Sequence, residues 1–97
     1  MTLNGKQRRH LRALGHHLQP VVILGKQGIT ESAARALDEA LGQHELVKLR
    51  IGTECPDERD AVAEWAEQTV QCEVAQALGR TLLVYRKHPK KPVIELP

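Results

Sequence analysis

Near the start of the chain apolar residues recur at helical spacing, and in the segment that follows they are consecutive. In residues 4–18 a narrow apolar stripe predicts a first helix, which Asn4 is placed to cap. The stripe consists of Gln7, Leu11, Leu14 and Leu18. Pro20 separates this helix from Val21–Leu24, an unbroken and mostly β-branched run that predicts a strand buried on both faces.

The next two elements follow from a helical pattern and then an alternating one. Residues 30–41 predict a second helix, which Thr30 caps and Gly42 ends. Its buried side consists of Ala33, Ala34, Leu37, Ala40 and Leu41. Residues 45–51 alternate between apolar and polar, which predicts a strand with one face in the core. The core face carries Val47, Leu49 and Ile51, and the wet face carries Leu46, Lys48 and Arg50.

A third helix and a hairpin complete the pattern. Pro56 suits the first turn of the helix, whose predicted buried stripe is Val62, Trp65, Ala66, Thr69 and Val70. Residues 72–78 and 81–86 predict two strands, because the Gly79-Arg80 pair between them suits a hairpin turn. The order is an N-terminal helix followed by β-α-β-α-β-β. This predicts an α/β (α+β) fold: a four-stranded mixed sheet with both crossover helices on one face.

Chain length and charge restrict the class of protein only in part. The 97 residues predict a single domain, 1–97, whose basic tail, 88–97, could either stay mobile or dock through residues 93–96 as a short final segment. The net charge is only +2, but basic residues concentrate at the two ends of the chain. No apolar run approaches the roughly 18 residues of a membrane span, and no signal peptide is visible. Two sparse cysteines suggest reduced thiols, so we expect a cytoplasmic protein without membrane contact.

Catalytic and metal-binding patterns are weak. His16 and His17 are adjacent, so on a helix they point about 100° apart and cannot chelate together. Cys55 and Cys72 lack metal-ligand spacing, and Cys72 has no base defined by the sequence. We therefore expect no catalytic residue, no metal and no cofactor.

The most specific local feature is a G-x-x-G loop between the first strand and the second helix. It consists of Gly25, Lys26, Gln27 and Gly28, and the cap residue Thr30 follows closely. Glycines let the backbone approach a ligand, and the free N–H groups of a helix N-terminus attract anions. Lys26 adds a full positive charge, so the segment suits phosphate. Taken alone, it could equally be a tight turn between strand and helix.

Basic side chains are predicted on two further elements. Arg9 and Arg12 lie opposite the apolar stripe of the first helix, and Lys48 and Arg50 lie on the wet face of the second strand. Each set could also be an ordinary solvated surface. Aromatic residues make up only 2% of the chain, so stacking of nucleobases is disfavoured.

Several segments together resemble the CRM (chloroplast RNA splicing and ribosome maturation) domain, whose stand-alone bacterial members are the YhbY-like proteins. The similar segments are residues 6–14, 20–30, 44–49 and 79–86. The resemblance implies an RNA-binding domain associated in bacteria with precursors of the large ribosomal subunit. It also implies a fold related to the C-terminal domain of translation initiation factor three, with a K-homology-like G-x-x-G loop.

Carried over to this chain, the resemblance and the residue patterns predict one RNA-binding surface. Its predicted members are Gly25, Lys26, Gln27, Gly28, Thr30, Arg8, Arg9, Arg12, Lys48, Arg50 and Arg86. The expected partner is RNA, in particular large-subunit ribosomal RNA or its precursor particle, and we expect no DNA and a monomer. Two alternatives stay open: a small module that binds a phosphate-bearing ligand, and an adaptor whose basic helix docks on an acidic protein.

Overall fold

The computed structural model describes residues 2–97, so Met1 of the predicted domain lies outside the described residues. The elements are α1 (Gly5–Gly15), β1 (Pro20–Leu24), α2 (Glu31–His44), β2 (Leu46–Ile51), α3 (Arg59–Trp65), β3 (Glu73–Leu78) and β4 (Thr81–Tyr85). A π-helical segment, Ala66–Val70, continues α3. The predicted element order is therefore confirmed. No helix within residues 2–97 is both long enough and apolar enough to cross a membrane.

The four strands form one mixed sheet in the order β1-β2-β4-β3. β1 pairs with β2 in parallel, and β4 pairs antiparallel with both β2 and β3. α2 and α3 pack on one face of the sheet, as predicted, and α1 packs on the other. The mixed sheet with helices on both faces confirms the predicted fold class.

Each face of the sheet has its own apolar core. The larger core joins Val22, Leu49 and Leu82 of the sheet to Leu37 of α2 and Val62 of α3. The smaller core lies beneath α1, and its members come from distant parts of the chain. They are Leu3, Leu11, Leu46, Ala75, Leu83 and Tyr85, with Ile94 and Leu96 packed against them.

Residues 88–97 cross the α1 face and are held there by one buried carboxylate. Glu45 is 2% exposed, and its carboxylate accepts hydrogen bonds from the backbone N–H groups of His88, Val93 and Ile94 at 2.7–2.9 Å. Burial alone raises the pKa of Glu45, but these three donors outweigh it, so the net pKa is lowered. The segment, whose docking the sequence left open, is thus anchored at its first residue and near its middle.

The prediction that β1 is buried on both faces is wrong. β1 is an edge strand, in which Val22 and Leu24 face the larger core while Val21 and Ile23 are 56% and 64% exposed. A short apolar run does not reveal its sheet position, because that position depends on strands made later in the chain.

The predicted stripe of α1 is wrong in part. Leu11 is buried, but Leu14 and Leu18 are exposed, and Gly15 faces the sheet instead. A Cβ at Gly15 would lie 2.7 Å from the methyl carbons of Leu83, so only glycine lets the helix approach this closely. Gly15 thus takes the sheet-facing position that the pattern assigns to Leu14, while Leu18 lies beyond the end of α1.

Two helix ends also differ from prediction. α2 continues through Gly42 to His44, and the chain turns at Glu45, whose φ of 60° is unusual for a residue other than glycine. The π-helical segment widens the spacing of buried residues after α3, so Val70 is buried and Thr69 is exposed. Trp65 packs partly against the larger core.

Candidate nucleic-acid interface

The glycine loop forms a tight turn between β1 and α2. The Gly28 N–H donates to the Gly25 carbonyl at 2.9 Å, and Gly28 has a φ of 63°. The Thr30 hydroxyl accepts from the Ala33 N–H at 3.0 Å and so caps α2, as predicted. The two residues between the glycines, Lys26 and Gln27, form the exposed tip of the loop.

A carboxylate from the segment before α3 supports the base of this loop. Oδ2 of Asp57 accepts from the Ile29 N–H at 2.8 Å. The same oxygen and the ring of Pro56 pack so closely on Gly28 that a Cβ there would collide with both. Asp57 therefore fixes the loop, but it also occupies an N–H group that a phosphate could otherwise use.

Alanine at Gly28 should destabilise the protein by about 2 kcal/mol, because it combines left-handed backbone with the collision against Asp57. Asp57→Ala should cost about 1–2 kcal/mol, because it leaves the Ile29 N–H without its acceptor. In the double variant the collision with the Asp57 carboxylate is gone, so we expect the two costs to fall short of additivity by about 1 kcal/mol.

Urea denaturation of the four proteins measures this double-mutant cycle. Gly25→Ala is the matched control, because no atom lies within 4 Å of a Cβ at that position. It should change stability by less than about 0.5 kcal/mol. Strict additivity of the Gly28 and Asp57 variants would show that the carboxylate does not limit the space at Gly28.

The tip of the loop carries an unburied cation beside a second carboxylate. The side chain of Lys26 is 78% exposed, and its Nζ lies 3.9 Å from Oε1 of Glu54. An exposed pair at this distance contributes little to stability, so Lys26 is available to an anionic ligand. Glu54 and Asp57 together reduce the positive potential that the loop would have by itself.

A cleft of about 530 Å³ extends from the glycine loop along the free edge of β1. Small side chains of α2, Ser32, Ala33 and Ala36, form its opposite wall. The Leu24 carbonyl accepts from the Gly52 N–H on the β2 side, so strand alternation turns the backbone polar groups of Ile23 to the free edge. The cleft thus offers backbone donors and acceptors beside the loop.

The prediction of a wet face on β2 is wrong in part: Lys48 and Arg50 lie on the α1 face of the sheet, but Leu46 of the same face is buried in the smaller core. Lys48 is half-buried, Arg50 is exposed, and Arg50 pairs in register with Ile23 of β1. Arg50 therefore stands beside an exposed apolar side chain on the strand that leads into the glycine loop. This places Arg50 and Lys26 at the same end of the sheet.

α1 presents its exposed arginines on the flank that faces away from the C-terminal segment. Gln7 marks the opposite flank, because its Nε2 donates to the Pro97 carbonyl at 3.4 Å. At about 100° per residue, Arg12 and Arg9 lie on the other side of the helix, and both are exposed.

Two predicted site residues are engaged by the protein itself. The Arg8 guanidinium donates to the carbonyls of Leu3 and Val74 at 3.3 and 3.2 Å. Arg86 forms a 2.6 Å ion pair with Asp38 and also donates to the Val70 carbonyl. Both arginines tie distant segments together, which reduces their freedom to hold a ligand.

Burial keeps two titratable groups of the cores in their protonated form. Burial raises the pKa of Cys72 to about 11, so its thiol stays protonated at neutral pH and donates to the Ala66 carbonyl. Burial, with the charges of Glu45 and Glu73, likewise raises the pKa of Tyr85. Within residues 2–97, no cluster of three histidine, cysteine or acidic residues could hold a metal.

The pattern of the sequence did not reveal the two carboxylates at the loop. Glu54 and Asp57 belong to the segment after β2, and Asp57 is 28 residues from its partner Ile29. The parallel pairing of β1 with β2 brings the ends of both strands together, and this was the one signal that could have located them.

Comparison with known proteins supports one family. A family model of the CRS1 / YhbY (CRM) domain matches residues 3–86. Similar curated proteins include a probable RNA-binding protein of Pseudomonas aeruginosa, 36% identical over 93% of this chain and 86% of the relative. The probable RNA-binding protein YqeI of Bacillus subtilis is 34% identical over 98% of this chain and 99% of the relative.

A solved structure agrees with the fold. The solution structure of a hypothetical protein of Staphylococcus aureus, described there as a “putative RNA binding protein”, superposes with a TM-score of 0.76. It is 33% identical in sequence, and the match covers 99% of this chain and 100% of that one.

Proposed function

Because this chain belongs to the CRS1 / YhbY (CRM) domain family, we propose that it is an RNA-binding protein without catalytic activity. The relatives named above are described as RNA-binding proteins, and the chain matches them along nearly its whole length. We further propose that it acts in the cytoplasm as a monomer on the RNA of the large ribosomal subunit or its precursor. The resemblance of the sequence to this family is what supports that choice of RNA.

The observation that carries the proposal is the exposed cation at the tip of the glycine loop. Lys26 is 78% exposed beside a cleft with free backbone groups, and Arg50 lies at the same end of the sheet. Such a site holds the sugar-phosphate backbone, and the cleft accommodates a segment of one strand. The exposed arginines of α1 then contact neighbouring phosphates. RNA would be recognised by its shape more than by its base sequence.

Binding to fragments of large-subunit ribosomal RNA should weaken steeply with salt. About five phosphate contacts, one for each of Arg9, Arg12, Lys26, Lys48 and Arg50, imply a roughly 100-fold loss of affinity between 50 and 200 mM salt. Fluorescence anisotropy with labelled RNA across a salt series measures the slope. An affinity that does not change with salt would contradict the proposal.

Two other functions give different results in the same titration. A module for small phosphate-bearing ligands would bind a mononucleotide as tightly as the RNA fragment. An adaptor would bind an acidic protein even when the glycine loop is disrupted. The exposed loop and the basic α1 surface favour RNA, because their cations are spread over a larger area than one phosphate covers.

A further inference from the structure

An apolar groove of about 440 Å³ opens on the α1 face of the sheet. It lies at the start of β1, whereas the glycine loop follows the end of that strand. Leu14 and Leu18 form one wall, Val21 and Leu46 form the floor, and Ile94 of the C-terminal segment closes one side. The groove therefore overlaps the proposed RNA-binding surface only at Lys48 on its rim and at Val21, which also lines the cleft beside the glycine loop.

The groove collects apolar side chains that the protein leaves in water. Leu14, Leu18 and Val21 are 44%, 36% and 56% exposed. They come from α1, the connection after it and β1, and Gly15 takes the sheet-facing position beside Leu14. Exposed apolar side chains that converge from separate elements are typical of interaction sites.

The lining of the groove indicates which chemistry could fill it. Its charged or titratable members are His44 and Lys48, none of the lining residues is acidic, and the imidazole of His44 is the one aromatic ring. Stacking of RNA bases needs aromatic or guanidinium planes, and this mainly aliphatic lining offers a single one. Aliphatic side chains with basic groups at the rim suit a peptide that carries both apolar residues and carboxylates.

The carbonyl ends of two helices add a second constraint. α1 ends at Gly15 and α2 ends at His44, so both C-termini lie beside the groove. Their partial negative charge disfavours a phosphate backbone at this end, whereas Lys48 and the neighbouring Arg50 attract carboxylates at the other. The groove therefore favours a ligand with apolar contacts along its length and acidic groups on one side.

We propose that this groove binds an acidic amphipathic helix of a protein partner. Apolar residues of that helix at positions i, i+3, i+4 and i+7 enter between Leu14, Leu18 and Val21, and its glutamates face Lys48 and Arg50. The apolar part of this site is distinct from the glycine loop, which follows the opposite end of β1, but Lys48 and Arg50 belong to both proposed surfaces, so the helix and RNA should compete in part.

The test uses a set of synthetic helices as probes. Each has 18 residues, with leucine, isoleucine or methionine at the four apolar positions and glutamate on the remaining face. NMR titration of the ¹⁵N-labelled chain should show shifts at Leu14, Val21 and Ile94 for the acidic set. A matched set with lysine in place of glutamate should bind at least tenfold more weakly.

Substitutions at two exposed leucines distinguish binding in the groove from nonspecific hydrophobic binding elsewhere on the surface. Leu14→Glu and Leu14→Gln should each weaken binding at least tenfold. Leu78→Glu, at an exposed leucine on the β3–β4 hairpin, makes the same charge change away from the groove and should leave binding unchanged. All three variants should keep their affinity for RNA, because neither leucine belongs to the proposed RNA-binding surface.

Three outcomes would overturn the proposal. The first is that no acidic helix binds, and the second is that the lysine set binds equally well. The third is that Leu14→Gln weakens RNA binding as much as helix binding, in which case the groove belongs to RNA. Competition alone is expected, because both ligands use Lys48 and Arg50. A variant of the glycine loop that loses RNA binding but still binds the helix would support the groove as a binding site of its own.

Discussion

Replacing Lys26 and Gln27 together by aspartate should lower the affinity for large-subunit ribosomal RNA fragments on the order of 100-fold at moderate salt. The double variant removes one cation and adds two carboxylates at the point proposed to meet phosphate. Lys26 and Gln27 are exposed, so the fold should be unaffected. Anisotropy titration across a salt series should also show a slope reduced by about 1, because one phosphate contact is lost.

The control is the variant Lys87→Asp, Gln71→Asp, which makes the same change in charge at the other end of the sheet. Both residues are exposed and line one shallow surface near Tyr85. We expect its RNA affinity to fall less than about threefold, since only long-range charge is altered. Equal losses in both variants would mean that net charge, and not the glycine loop, determines RNA affinity. Thermal melts by circular dichroism confirm that both variants fold.

Glu45→Ala should destabilise the protein by about 3 kcal/mol and lower its melting temperature by roughly 12–24 °C. The variant leaves the N–H groups of His88, Val93 and Ile94 without their acceptor and releases the segment that covers the smaller core. Glu45→Gly loses the same carboxylate but suits a φ of 60°, so it should be about 1 kcal/mol more stable than the alanine variant. Glu95→Gln, at an exposed carboxylate of the same segment, should change stability by less than about 0.5 kcal/mol.

The contribution of Glu45 should also depend on pH, with a defined sign. Its pKa in the folded protein lies below the ordinary 4.5, so the stabilisation is fully present above that value. It is lost as the pH falls through the lower, folded-state pKa, when the carboxylate takes up a proton. The stability gap between wild type and Glu45→Gln should therefore shrink on acidification below about pH 4.5 in urea denaturation. A constant gap would show that the carboxylate is not ionised in its hydrogen-bonded state.

Features of the fold that depend on neighbours in sequence could be predicted. Asn4 caps α1 through the Gln7 N–H, and Thr30 caps α2 through the Ala33 N–H, each three residues away. The alternation of β2 and the Gly79-Arg80 turn are local in the same sense, and Gly79 adopts the positive φ that such a turn requires. Short-range chemistry decides these features before the chain is compact.

Features that depend on tertiary neighbours could not be predicted. The exposure of Val21 and Ile23 follows from the place of β1 at the sheet edge, and the exposure of Leu14 follows from the contact between Gly15 and Leu83. Neither partner lies near in sequence. A pattern of apolar residues shows that a segment has an apolar side, but not which neighbour covers it.

The candidate site likewise has features that local sequence predicts and features that depend on tertiary neighbours. The position of the glycine loop and the exposure of Lys26 and Arg50 follow from local pattern. The engagement of Arg86 does not, because its partner Asp38 is 48 residues away. A basic residue in a sequence is equally suited to a ligand and to a distant carbonyl or carboxylate, so only the packed chain separates these roles.

The smaller core has a consequence for the order of folding. α1 is the first element to be synthesised, yet its packing surface is built by Ala75, Leu83, Tyr85 and Ile94. At about 5–20 residues per second, several seconds pass before those partners are made. The capped but short helix cannot keep its structure alone in that interval. α1 therefore cannot complete its packing before β3, β4 and the C-terminal segment are made, and the arginine flank becomes a fixed surface only when translation of the domain is nearly finished.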